Sequence, residues 1–130
     1  MKLHHVGIAV DDLDVSIELY ESAFGAVLVH RAMNEGEGLE AAFMSTGQGE
    51  VELMSATRDD SPVGKFLAKR GPGLHHVAYA VEDIDSALAR AREAGMQLID
   101  ETPRRGMHGT RIAFVHPRSV GGVLTELVEA

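Results

Sequence analysis

The chain has 130 residues, 45% of them hydrophobic and 25% charged, proportions near the globular average that exclude a disordered or fibrous chain and suit a single domain, which usually takes about 100–200 residues. A formal net charge of −8, with histidine neutral, argues against general nucleic-acid binding, because a polyanion would be repelled over most of the surface. Without cysteine there are no disulfides, cysteine-zinc sites or thiol nucleophiles, and without an apolar run near the roughly 20 residues that span a bilayer, the expected location is cytoplasmic.

Residues 3–10 alternate in apolar character and read as a first strand. Asp11-Asp12 suits a helix N-terminus, and Leu13, Ile17, Tyr20 and Phe24 recur at helical spacing until Gly25 stops the pattern. Extended segments follow at residues 26–29, 39–44 and 50–54, the last two joined by the turn-like Thr46-Gly47-Gln48-Gly49. Ser61-Pro62 opens a short linking helix over residues 63–70, closed by Gly71-Pro72-Gly73.

The pattern then starts again. Residues 3–15 (LHHVGIAVDDLDV) and 74–86 (LHHVAYAVEDIDS) share eight of thirteen positions. A second acidic turn, Glu82-Asp83, leads into the stripe Ile84, Leu88 and Ala91, and Gly95 ends it. Strand-like segments are expected at residues 97–99, 111–115 and 123–128, with Pro117, Gly121 and Gly122 in the loop before the last. Arg104, Arg105 and Arg111 form a basic cluster in a Gly-rich stretch that reads as a loop.

Period-2 alternation puts His5, Gly7 and Ala9 on one face of the first strand, and His76, Ala78 and Ala80 on the matching face of its copy. The opposite faces, Val6-Ile8-Val10 and Val77-Tyr79-Val81, are bulky and suit a helix; His4 and His75 share them and are expected to be structural. The last strands carry Glu52-Leu53 and Glu126-Leu127. If each Leu faces a helix, each Glu joins the His face. An isolated strand histidine is ordinarily a hydrogen-bonded core residue, but two copies delivering His and Glu to one face point to a cation, since buried carboxylates without one are costly. Nitrogen with oxygen suits Mn, Fe, Co, Ni or Zn. The expected fold is therefore α+β: two tandem βαβββ modules, about residues 1–58 and 74–130, forming a curled mixed sheet around a metal-binding cavity, in a single domain 1–130. His30, His108 and His116 have no partner in the repeat, although His108, in the Gly-rich loop, could reach a ligand.

At these residues the chain resembles the vicinal oxygen chelate superfamily and, within it, the methylmalonyl-CoA epimerases. Residues 4–10 (HHVGIAV), residues 60–67 (DSPVGKFL) leading into 73–77 (GLHHV), and residues 116–127 (HPRSVGGVLTEL) carry the resemblance. It implies one divalent metal ion per chain on His5, His76 and Glu126, with Glu52 as fourth ligand where some epimerases have Gln. It also implies interconversion of the C2 epimers of a coenzyme A thioester, and a homodimer. One departure stands out: the strand position where some relatives carry a basic Glu is Ala41 here, with Glu40 one residue early and so expected on the wrong face. With Ala41 unable to act, Glu52 and Glu126 are the expected pair of acid-base groups, one for each face of the enolate. Lys65, Arg104, Arg105 and Arg111 are candidates for the coenzyme A phosphates. A glyoxalase-type lactoylglutathione isomerase would share the metal site, but its Asp-Pro-x-Gly turn reads His116-Pro117-Arg118-Ser119 here. A metal-free binding module would not need four inward ligands.

Overall fold

The computed structural model describes residues 1–130. The backbone forms two compact units, residues 5–75 and residues 1–4 with 76–130.

In the 5–75 unit, strand β1 (Lys2–Ala9, entering from the other unit) leads to helix α1 (Leu13–Phe24), strands β2 (Val27–Asn34), β3 (Leu39–Ser45) and β4 (Glu50–Ala56), and helix α2 (Pro62–Arg70). Asp12 starts α1 by accepting a hydrogen bond from the Val15 N–H at 3.1 Å, and Gly25, at φ 66°, ends it in the left-handed conformation. Leu13 and Ile17 bury the apolar stripe of α1 against Ala42, Met44 and Leu53. Leu53 thus faces the helix, as alternation requires. β2 and β3, and β3 and β4, pair antiparallel, while β4 pairs parallel with β1. Ser61 caps α2 by accepting from the Gly64 N–H at 3.0 Å. Gly64 has no alternative: a Cβ there would lie 2.6 Å from the Asp59 carbonyl oxygen.

In the other unit, strand β5 (Gly73–Val81) leads to helix α3 (Ile84–Glu93), strands β6 (Arg104–Arg105) and β7 (Arg111–Val115), a single turn of 3₁₀ helix (Pro117–Ser119) and strand β8 (Thr125–Glu129). Ile84 and Leu88 pack on Ala113, Val115 and Leu127. The expected strand at 97–99 is reduced to one bridge, Leu98 to Val115. Ile99 and Asp100 both donate to the Phe114 carbonyl, so the ladder cannot advance, and Pro103 has no N–H to resume it. The second strand of this module is instead Arg104–Arg105, which the sequence suggested was loop. The last strand starts at Thr125 rather than Val123, because Gly121 and Gly122 adopt positive φ and Val123 donates back to Val120.

Each module keeps the βαβββ order. The strands of the first module run in the order β2-β3-β4-β1 and those of the second β5-β8-β7-β6, and the fold is α+β. No helix is long and apolar enough to cross a membrane.

Candidate metal centre

Register fixes which side chains share a face. In the 5–75 unit, Gly7 lies opposite Glu52, Glu52 opposite Phe43, and Phe43 opposite His30. Residues opposite one another point the same way, so this row and His5, two residues before Gly7, occupy one face. In the other unit Ala78 lies opposite Glu126, and Glu126 opposite Phe114, which puts His76 and Glu126 together.

Each unit therefore builds a His–Glu pair by the same route. His5 Nε2 is 3.2 Å from Glu52 Oε1, and His76 Nε2 is 3.2 Å from Glu126 Oε1. All four residues are between 3% and 6% exposed. One ligand atom from each lies within 4.8 Å of the others. Two nitrogens and two carboxylate oxygens are donors that could hold a first-row divalent ion, and burial of two carboxylates without a cation would be strongly unfavourable. The four residues named from the sequence could thus hold a divalent ion.

Two residues of this arrangement escaped the sequence analysis. Phe43 meets the His5 ring edge-on at 5.7 Å and 89°, and Phe114 meets His76 at 5.7 Å and 82°. Their separation in the chain equals that of His5 from His76, 71 positions, so extending the repeat beyond its first thirteen residues would have found them.

The remaining candidates divide by face. Arg104 lies opposite Ile112, itself opposite Val128, on the face of Glu126; its guanidinium sits over Phe114 at 5.6 Å and bonds Asp100 at 3.1 Å. Arg105 and Arg111 turn to the other face. Arg105 donates to the Gly109 carbonyl at 2.6 Å. Arg111 pairs with Glu129 at 2.9 Å and Asp85 at 3.2 Å, and these hydrogen bonds, Glu129 first, hold its pKa above the ordinary arginine value. Lys65 is exposed on α2. Glu40 pairs with Arg31 at 2.9 Å, on the α1 side where Arg31 also holds Asp14, while Ala41 is fully buried. Glu40 is accordingly turned away from His5 and Glu52.

The other histidines have local roles. His75 packs on Phe66 at 5.0 Å. His116 Nδ1 accepts from the Arg118 N–H at 3.0 Å and caps the 3₁₀ turn. His108 meets His4 at 5.9 Å.

Comparison with known proteins agrees with this geometry. The model of the Glyoxalase/Bleomycin resistance protein/Dioxygenase superfamily matches residues 4–114. The chain is 36% identical to a mitochondrial methylmalonyl-CoA epimerase of Dictyostelium discoideum over 98% of its own length and 78% of the relative's. Among solved structures, it is similar to methylmalonyl-CoA epimerase from Mycobacterium tuberculosis, with 44% identity, a TM-score of 0.93, and coverage of 98% of this chain and 86% of that one. It is also similar to a variant of Streptomyces coelicolor methylmalonyl-CoA epimerase in complex with 2-nitronate-propionyl-CoA, at 40% identity and a TM-score of 0.92, covering 98% and 93% of the two chains.

Proposed function

This chain belongs to the glyoxalase/bleomycin resistance protein/dioxygenase superfamily, and we propose that within it the protein is a methylmalonyl-CoA epimerase, an isomerase that interconverts the C2 epimers of its coenzyme A thioester. The observation that carries this function is the duplicated, buried His–Glu pair, 3.2 Å apart in each unit. Relatives that span nearly the full chain and carry this name support it.

The hydrogen on C2 lies between a thioester and a carboxylate, so its removal leaves an enolate. His5, Glu52, His76 and Glu126 would hold the divalent ion, which when bound stabilises the developing oxyanion as a Lewis acid. Inversion needs a proton removed from one face of the planar enolate and returned to the other. Glu126 and Glu52, supplied by different modules, are the two proton carriers, each contributing about 10²–10⁴-fold as a general acid-base group. Ala41 offers no proton-carrying group, and Glu40 is held away by Arg31. The burial of both carboxylates keeps competing water from the enolate.

Arg104, with Lys65 and Arg105, is the candidate for the coenzyme A phosphates; Arg111 is engaged by two carboxylates. A homodimer in the cytoplasm completes the proposal. β2 ends the strand order and leaves Val27, Val29 and Met33 exposed, an apolar edge that a second copy would cover.

A single purified epimer of methylmalonyl-CoA, incubated with the metal-loaded protein, should relax to a mixture of both epimers on chiral chromatography. Persistence of the starting epimer would overturn the assignment.

A further inference from the structure

His30 owes its position to an irregularity in the sheet. Leu28 pairs with Met44 but His30 pairs with Phe43, so Val29 is an extra residue in β2, a β-bulge. In a regular ladder Val29 would face Phe43, and His30 would face Ala42 on the α1 side. The bulge leaves Val29 exposed and turns an imidazole to the face of His5 and Glu52. The ring of His30 lies over Phe43 at 5.9 Å and 32°, and Phe43 in turn meets His5.

The other unit carries the same succession. Arg104, on its outermost strand, lies over Phe114, which meets His76. Both modules thus place a basic side chain on the far side of the phenylalanine that walls the histidine. Methyl groups flank His30 in its own unit: Ala32 two residues along β2 and Ala41 opposite it share the face. That leaves room for a ligand beside the imidazole. Two strand spacings of about 4.8 Å separate His30 from Glu52, roughly 10 Å along the sheet, a gap that an inward-pointing imidazole and a three-carbon diacid can fill together.

We propose that His30 is a substrate-recognition residue that donates a hydrogen bond to the free carboxylate of the acyl group. The inference rests on the epimerase assignment and adds the residue that distinguishes a dicarboxylic monothioester from a simple acyl thioester. Glu50 and Glu52 share this face and would repel the incoming carboxylate, so a donor is needed where it lands. Hydrogen bonds to charged groups correspond to about ten- to a hundredfold in affinity.

Steady-state kinetics of His30→Ala and His30→Arg, each with metal content measured, test the proposal on methylmalonyl-CoA and on methylmalonyl-pantetheine, which lacks the nucleotide phosphates. His30→Ala should raise KM about tenfold or more for both substrates at equal metal content, with kcat changed less than about threefold, and His30→Arg should recover most of the loss. An unchanged KM, a rise confined to the coenzyme A substrate, or a loss of kcat alone would overturn it. Failure of the unaltered protein to epimerise either substrate would instead remove the epimerase assignment itself.

Discussion

A carboxylate shut away from water needs a positive partner, and this protein repeats that demand at Glu52 and Glu126, each 3.2 Å from an imidazole. Glu52→Gln keeps the size and a hydrogen-bonding oxygen but cannot carry the proton. Inversion should slow by about 10²–10⁴-fold, while deuterium from solvent still enters C2 of the epimer served by Glu126; full epimerisation by this variant, followed by chiral chromatography, would end the two-carrier scheme. Arg104→Ala should weaken substrate binding and flatten its dependence on salt concentration, whereas affinity unchanged across a salt series would take Arg104 off the phosphates. The four ligand-type residues were legible in the sequence because strand alternation is strict and the repeat states it twice. His30 was not. A bulge shifts the register by one residue, and nothing in Val29-His30 announces an inserted position. Phe43 and Phe114 were hidden for a different reason: apolar strand residues look alike until the repeat is followed through the whole module.

At the scale of elements, each module ties the first turn of its helix to the sheet through an arginine. Arg31 joins Asp14 of α1 to Glu40 of β3, and Arg111 joins Asp85 of α3 to Glu129 of β8. Glu129 also accepts from the Ile84 N–H at 3.0 Å, and the Arg111 contact, ahead of that one, holds its pKa below the ordinary value of 4.5. A lowered carboxylate pKa stabilises the fold above the ordinary value, and the contribution is lost as pH falls through the folded one. Glu129→Gln should therefore lower the thermal midpoint at pH 7, and the gap to the unaltered protein should narrow as pH drops below about 4.5; a gap constant with pH would place the effect elsewhere. In α2, Gly64→Ala forces a methyl group onto the Asp59 and Arg58 carbonyls and should cost about 1–3 kcal/mol in denaturant unfolding. The helices followed from caps and periodicity, as did the first module's strands except β2, which runs on to Asn34 beyond the expected 26–29. The second module's second strand did not, because two arginines after Thr102-Pro103 carry no alternation, and only pairing with Arg111 and Ile112 makes them a strand.

For the molecule as a whole, the proposed metal site draws one His–Glu pair from each copy of the repeat. His5→Ala and His76→Ala should weaken metal binding by similar factors in calorimetric titration, and a loss confined to one of them would break the symmetry of the account. An ion that binds only the folded chain also stabilises it, by about 2.7 kcal/mol at a hundred times its Kd, so chelation should lower the thermal midpoint and Co(II) should restore it. Charge argues against general nucleic-acid binding and the lack of cysteine excludes disulfide and thiol chemistry, but neither says which anion the site receives, since that depends on cross-strand register. The most direct test of the central claim is proton NMR of methylmalonyl-CoA in D2O with the Co(II)-loaded protein. Loss of the C2 proton signal at a catalysed rate, abolished by chelation, is the expected result; a C2 signal that persists with metal bound would contradict it.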